Sequence, residues 1–174
     1  MSQTSDLVAA RVRDVPDFPK PGVVFKDIAP LLSDGAAFRS LVEDVARRYA
    51  DQVDVVAGIE ARGFIFGAPV ALALGVGFVP IRKAGKLPGD TIASAYSLEY
   101  GTAEVEVQAD AFAPGARVLL IDDVLATGGT AAAACELIER GGAEVSALEF
   151  VIELGFLDGR DRLADRPVNA ILTV

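Results

Sequence analysis

The sequence predicts an α/β fold: a mostly parallel, twisted sheet flanked by helices, with a β-hairpin flap or hood over the C-terminal edge of the sheet. Short segments rich in Val, Ile and Leu alternate along the chain with segments of helical periodicity. That alternation is typical of βαβ units, whose strands are parallel. The chain has 174 residues, of which 52% are hydrophobic, so a single domain over 1–174 can bury an adequate core.

The first half of the chain is expected to form one long helix and one buried strand after an irregular start. Asp34 or Ser33 can cap the long helix, because either side chain can accept hydrogen bonds from the first helical N–H groups. Prolines at four positions exclude regular helix from 15 to 30. The predicted elements are a short helix at about 6–13, an ordered loop at 15–30, a helix at 35–50 and a strand at 53–59.

The second half carries the hairpin and most of the predicted strands. Gly75 and the pair Gly141-Gly142 are expected to end the helices that precede them. The predicted elements are a helix at 64–74, a strand at 77–81, a mobile loop at 82–90, hairpin strands at 91–98 and 103–109, a strand at 117–121, a helix at 130–140 and strands at 145–152 and 169–174.

The composition excludes several classes of site. Histidine is absent and Cys135 is the only cysteine, which excludes His-based triads and cysteine-ligated zinc. The formal net charge of −9 argues against a nucleic-acid-binding surface. No apolar run has the length of a membrane span, so a soluble, cytoplasmic protein without nucleic-acid or membrane partners is expected.

The strongest motif lies at 118–130, where a buried strand leads through Asp122 and Asp123 into a loop of small residues and a helix. A helix start binds anions through free N–H groups and the positive end of the helix dipole. Glycines let the backbone approach a phosphate closely. The two carboxylates can accept hydrogen bonds from ribose hydroxyls. The motif therefore predicts a phosphoribosyl site and leaves the acceptor open; the residues expected to hold the phosphate are Ala126, Thr127, Gly128, Gly129 and Thr130.

Four cations form a second candidate group in an otherwise acidic chain. Arg62, Arg82, Lys83 and Lys86 lie in two short segments bounded by Gly and Pro, which favours a local anion site. Two known phosphate-binding motifs are excluded. The P-loop pattern does not occur in the sequence, and the glycine pattern of dinucleotide-binding folds lacks its third glycine.

The motif at 118–130 resembles the phosphoribosyl-pyrophosphate motif of type I phosphoribosyltransferases. Four further segments, at 18–28, 58–64, 82–89 and 96–101, resemble the adenine phosphoribosyltransferase family and occur in that family's order. The resemblance covers about 18–154. It implies a Mg²⁺-dependent reaction of adenine with phosphoribosyl pyrophosphate, with the metal bound mainly through that substrate and its protein ligands unknown, in a protein that is a homodimer.

The resemblance also implies a role for individual residues. Glu99, Lys86 and Arg62 would be catalytic, with Glu99 handling the proton of the base and Tyr100 shielding the site as part of a flexible lid at about 82–109. Arg62, Arg82, Lys83 and Lys86 would receive the pyrophosphate. The base would bind to an N-terminal segment at about 15–30 and to a later position, through Val24, Phe25, Lys26 and Leu154. Lys26 stands where the family often has Arg, and a Lys lacks the planar fork of Arg.

Three alternatives have different consequences. A phosphoribosyltransferase for hypoxanthine, guanine or xanthine would use the same motif with another base. A phosphoribosyl-pyrophosphate-sensing regulator would bind DNA, which the net charge opposes. A non-catalytic subunit would give no product, although the motif residues are intact.

Overall fold

The computed structural model describes residues 3–97, 102–163 and 166–174. Five helices and nine strands lie within these ranges, together with two 3₁₀ segments. The helices are α1 (Gln3–Ala9), α2 (Ala29–Ser33), α3 (Gly35–Tyr49), α4 (Arg62–Leu74) and α5 (Gly129–Arg140). The strands are β1 (Arg13–Pro16), β2 (Val24–Asp27), β3 (Val55–Ile59), β4 (Gly77–Lys83), β5 (Thr91–Ser97), β6 (Thr102–Gln108), β7 (Arg117–Leu125), β8 (Glu144–Glu153) and β9 (Val168–Thr173). The 3₁₀ segments are Gly155–Leu157 and Gly159–Leu163.

Seven of these strands form one mixed sheet in the order β5-β6-β4-β3-β7-β8-β9. The pairings from β4 through β3, β7 and β8 to β9 are all parallel. The remaining pairings, β4 with β6 and β5 with β6, are antiparallel. The predicted α/β class is confirmed, and β7 lies in the parallel core of the sheet.

Two apolar cores cover the two faces of the sheet. On one face α5 contributes Leu137 and Ile138, which pack with the β7 residue Leu120. On the other face α3 and α4 contribute side chains such as Leu41 and Phe66. Alternate β7 residues point into opposite cores, which is why this strand is a continuous apolar run in the sequence.

The hairpin β5–β6 joins the sheet only at the C-terminal end of β4. Two residue pairs make this connection, Arg82 with Glu106 and Lys83 with Val105. The hairpin was expected as a flap over the C-terminal edge; in the structure its strands continue the sheet beyond β4, next to the carboxyl end of that strand. The same pairing corrects the bounds of the predicted loop at 82–90, because Arg82 and Lys83 belong to β4.

The segment predicted as a loop at 15–30 contains regular structure. β1 and β2 pair as a small antiparallel ladder, and α2 follows. Two ion pairs across the ladder, Arg13 with Asp27 and Lys26 with Asp14, add to the backbone bonds. Pro16 is compatible with this ladder because it ends β1, where its missing N–H is not needed.

Other differences concern element bounds and local signals. The first helix was predicted at 6–13 but occupies Gln3–Ala9, since Arg13 is recruited into β1. The strand predicted at 117–121 continues to Leu125, because β8 pairs with it that far. Asp34 caps α3 as predicted, accepting hydrogen bonds from the N–H groups of Ala36 and Ala37.

In the described ranges, no helix combines the length and apolar character that crossing a bilayer requires.

Candidate active site

The two motif carboxylates lie where β7 extends beyond one of its neighbours. The ladder between β3 and β7 ends at the pair Gly58 with Ile121. On its other side β7 remains paired with β8 as far as Leu125. Asp122 and Asp123 therefore stand at the carboxyl edge of the parallel sheet, the position where open α/β sheets bind ligands.

The Asp122 and Asp123 carboxyl groups differ in their burial and in the charged groups next to them. Asp123 is 4% exposed, and its carboxylate pairs with Arg62, whose Nε lies 2.5 Å from Oδ2. The N–H of Asp123 donates to Oδ1 of Asp122 at 2.8 Å. Burial, and then the neighbouring charge of Asp123, raise the pKa of the Asp122 carboxyl well above its usual range. A cation or hydroxyl donor brought by a ligand would relieve that unfavourable charge.

A small pocket opens directly beside Asp122. Its walls are Asp122, the continuous segment 124–131 and Phe150. All of the predicted phosphate loop, 126–130, therefore lines one pocket. Gly128 is the N-cap of α5 with φ = 78°, a left-handed conformation that favours glycine.

The phosphate loop rests on the second 3₁₀ segment. A Cβ on Gly128 would lie 2.2 Å from the carbonyl oxygen of Gly159. A Cβ on Gly159 would lie 2.1 Å from the carbonyl oxygen of Ala126. Backbone thus packs on backbone here, and only glycine fits at either position. The sequence analysis did not identify Gly159 as a site residue.

Arg62 connects the motif carboxylates to the N-terminal segment. Its guanidinium lies 5.8 Å from the centre of the Phe25 ring, within cation–π range, while it pairs with Asp123. The next residue, Gly63, has no room for a side chain, since a Cβ would lie 2.7 Å from the carbonyl oxygen of Ile121. This close packing sets the start of α4 against the end of β7, so Arg62 is held next to the carboxylates. The Glu60–Ala61 peptide bond before it is cis.

Two of the other predicted cationic residues, Arg82 and Lys83, contact Glu60, a residue the sequence analysis did not assign to the site. The Nε of Arg82 donates to Glu60 Oε2 at 3.2 Å, and the N–H of Lys83 donates to the same oxygen at 3.0 Å. The N–H of Lys83, and to a lesser degree the Arg82 guanidinium, lower the pKa of Glu60. The ammonium groups of Lys83 and Lys86 are exposed, and within the described ranges neither pairs with a carboxylate.

The predicted base-binding residues have different environments. Val24 is 51% exposed, and Phe25 packs edge-on against Phe18, with their ring centres 5.2 Å apart. The ammonium of Lys26 donates to Asp14 Oδ1 at 2.7 Å, so it is engaged within the β1–β2 ladder. Leu154 directly follows β8, and its N–H donates to the carbonyl of Leu125 at 2.9 Å.

Leu154 therefore lies beside the end of β7, and Phe25 reaches the same edge through Arg62. Val24 and Lys26 belong to the same short strand as Phe25. Glu99 and Tyr100 lie outside the described residues.

Comparisons with known proteins agree with this geometry. Residues 31–162 match the family described as phosphoribosyl transferase domain. The adenine phosphoribosyltransferase of Salinispora tropica is 58% identical over 173 residues, covering 99% of this chain and 92% of that protein. That of Thermobifida fusca is also 58% identical, and the match covers 99% of both chains.

Solved structures give the same result in three dimensions. Adenine phosphoribosyltransferase from Thermoanaerobacter pseudethanolicus superposes with a TM-score of 0.94 at 46% identity, covering 98% of this chain and 99% of that one. The Saccharomyces cerevisiae enzyme, solved with adenine and an imino-altritol bisphosphate, gives a TM-score of 0.95 at 39% identity and covers 99% and 100%. With matching fold and sequence, the chain belongs to the adenine phosphoribosyltransferase family.

Proposed function

We propose that this protein transfers the 5-phosphoribosyl group of phosphoribosyl pyrophosphate to adenine, giving AMP and pyrophosphate. One observation carries the proposal: the pocket walled by the loop 124–131 is also lined by half-buried Asp122, which adjoins buried Asp123. A phosphate-sized cradle next to two carboxylates suits a ligand with both a phosphate and hydroxyls. Membership of the family identifies adenine as the acceptor.

The 5-phosphate would bind at the start of α5. Gly128 and Gly129 present backbone N–H groups there, and the Thr127 and Thr130 hydroxyls can donate further hydrogen bonds. Asp122 and Asp123 would accept hydrogen bonds from the ribose hydroxyls. As the bond from the anomeric carbon to pyrophosphate breaks, positive charge grows on the ribose, and the two carboxylates stabilise it electrostatically.

The departing pyrophosphate would be received by Arg62, Arg82, Lys83 and Lys86. Lys83 and Lys86 present exposed ammonium groups, and Arg62 is held at the edge by Asp123. Arg82 belongs to the same group, although its guanidinium also donates to Glu60. These charges lower the energy of the leaving group because they offset the negative charge that it gains.

Mg²⁺ is part of the proposal as a companion of phosphoribosyl pyrophosphate. The described residues hold no cluster of three or more acidic, His or Cys side chains of the kind that encloses a metal. Asp122 and Asp123 nevertheless offer the hard oxygen donors that Mg²⁺ prefers, which fits a metal held largely by substrate phosphates. When bound, Mg²⁺ would neutralise charge on the pyrophosphate.

Adenine would enter between the N-terminal segment and Leu154. Val24, Phe25 and Leu154 provide apolar surface for a purine, as expected of a base pocket. A bond then forms between a ring nitrogen and the anomeric carbon, and the proton leaves that nitrogen. Glu99 is the proposed acceptor of the proton. Lys26 would contribute through its backbone, since its ammonium is engaged by Asp14.

A homodimer in the cytoplasm completes the proposal. α4 presents an apolar side to solvent, with Leu72 83% exposed and Ile65 41% exposed at positions seven residues apart. A second copy covering this side would bury it. Cys135 is buried and forms no disulfide, as is usual for cysteines in the reducing cytoplasm. Analytical ultracentrifugation of the wild type and of Leu72→Glu tests the dimer: the variant should be monomeric.

The decisive experiment mixes the protein with Mg²⁺, phosphoribosyl pyrophosphate and one purine at a time. AMP should form with adenine, and nucleotide formation with hypoxanthine, guanine or xanthine should be at least about 100-fold slower. Turnover of hypoxanthine without turnover of adenine would overturn the choice of base. Asp122→Asn serves as a control that removes one motif carboxylate with little change of shape.

A further inference from the structure

The backbone of Lys86 is held on both sides by side chains from the sheet. Its N–H donates to Glu106 Oε1 at 2.9 Å, and its carbonyl accepts from Nη1 of Arg82 at 2.9 Å. The next N–H, of Leu87, donates to the same Glu106 oxygen at 2.9 Å. Glu106 and Arg82 are direct partners in the β4–β6 ladder. The two holding groups therefore come from one point of the sheet.

Glu106 is an uncommon residue for a strand interior. It is 5% exposed, and its two neighbours in β6, Val105 and Val107, are buried on the opposite face of the strand. Burial raises the pKa of its carboxyl, but the N–H groups of Leu87, Gly85 and Lys86 more than offset this and leave the pKa below its usual range. A buried carboxylate that binds successive backbone N–H groups is an anchor for the loop containing them.

The side chains of Glu106 and Lys86 differ in how far they are engaged by the rest of the structure. The other oxygen of Glu106 accepts a hydrogen bond from the Thr91 hydroxyl, at 3.3 Å, within the hairpin. The side chain of Lys86, by contrast, is exposed and has no carboxylate partner within the described ranges. The loop thus combines a fixed backbone with a free ammonium group, an arrangement that reduces the entropy lost when that ammonium binds an anion.

We propose that Glu106 is a positioning residue of the transferase, which fixes the backbone at Lys86 so that its ammonium group meets the pyrophosphate of the substrate. This inference rests on the proposed function, in which Lys86 is a pyrophosphate ligand. Glu106 itself touches no substrate atom. Its contribution is to the affinity for phosphoribosyl pyrophosphate rather than to the affinity for adenine.

Four variants test the inference. Glu106→Leu removes both acceptor oxygens, and Glu106→Asp withdraws the carboxylate by about 1.5 Å, the length of one carbon–carbon bond. Glu106→Gln keeps an oxygen that can accept from Lys86 and Leu87, while its amide can donate to the Thr91 hydroxyl. Glu104→Leu is the matched control, since Glu104 lies two residues earlier on the same strand with an exposed side chain.

Two measurements are made on each variant. The first is the KM for phosphoribosyl pyrophosphate, which should rise roughly tenfold in Glu106→Leu and Glu106→Asp, with the KM for adenine within about twofold of wild type. The second is the rate at which trypsin cleaves the Lys86–Leu87 bond, followed by mass spectrometry, which should rise in the same two variants because the bond is no longer held. Glu106→Gln and Glu104→Leu should match wild type in both.

The outcomes separate this inference from the proposed function. An unchanged KM for phosphoribosyl pyrophosphate, or an unchanged cleavage rate, in Glu106→Leu and Glu106→Asp overturns the inference. Glu106→Asp keeps the carboxylate, so it decides the matter if Glu106→Leu does not fold. An inactive wild type contradicts the proposed function instead, while the cleavage rates still decide whether Glu106 anchors the loop.

Discussion

Replacing Gly128 with alanine tests whether the phosphate loop depends on its close packing against the second 3₁₀ segment. The new methyl group would lie 2.2 Å from the carbonyl oxygen of Gly159 and 3.1 Å from its carbonyl carbon. Both are backbone atoms, so no side-chain rotation can relieve the overlap. The loop and the segment must separate by about 1 Å to restore ordinary contact. A left-handed φ of 78° adds about 1–2 kcal/mol for any L-residue.

A displacement of about 1 Å in groups that position a substrate costs on the order of 100-fold in rate, and we expect kcat/KM for phosphoribosyl pyrophosphate to fall by that factor. Gly142→Ala is the matched control. Gly142 has φ = 82°, and a Cβ there meets nothing within 4 Å, so it has the backbone penalty without the overlap. This control should lose stability in urea unfolding but keep kcat/KM within about twofold. Equal kcat/KM values for the two variants would refute the reasoning.

Three further predictions concern charges and hydrogen bonds. Tyr49→Phe removes a 2.7 Å bond from the phenol to the buried Glu149 carboxylate, and urea unfolding should show a loss of about 2 kcal/mol; a loss below about 0.5 kcal/mol would contradict this. Asp122→Asn should raise Tm at about pH 7 yet lower kcat/KM at least about tenfold, because the raised pKa means that ionised Asp122 destabilises the fold. The gain in Tm should shrink as pH falls through that raised pKa and vanish below about pH 4, where the folded and unfolded carboxyls are both protonated; a gain independent of pH would count against it. Arg62→Lys keeps the charge but loses the planar guanidinium that pairs with Asp123 and lies over the Phe25 ring. The KM for phosphoribosyl pyrophosphate should therefore rise roughly tenfold. An unchanged KM would exclude Arg62 as a ligand of the pyrophosphate.

The helices and strands that could be predicted are those specified by local signals. Asp34 as a cap and Gly75 as a left-handed stop act within one turn of helix, so a short stretch of sequence contains them. The β1–β2 ladder was missed because its stability depends on pairing across an intervening loop, with Arg13 bonded to Asp27. The prolines in that region correctly excluded helix, but they do not indicate which two segments pair as strands.

The same distinction explains which parts of the site were found. The motif from Asp122 to Gly128 is continuous in sequence. Its carboxylates suit ribose hydroxyls and its glycine loop suits a phosphate, so the two features together indicated one ligand. Glu60, Glu106 and Gly159 act on segments far away along the chain, so only the folded sheet brings them to their partners. One signal for Glu106 existed in the sequence, an acid between two valines of a predicted strand.

The contact between Gly128 and Gly159 also has a consequence for synthesis of the protein. A ribosome makes the chain from its N-terminus, so the motif carboxylates and the whole loop emerge before Gly159 does. A nascent chain at that stage has the loop but lacks the backbone on which Gly128 rests. We therefore expect the loop to bind phosphate only after Gly159 has been made and has folded beneath it. If so, the substrate would stabilise by mass action only those chains that already contain both the loop and Gly159.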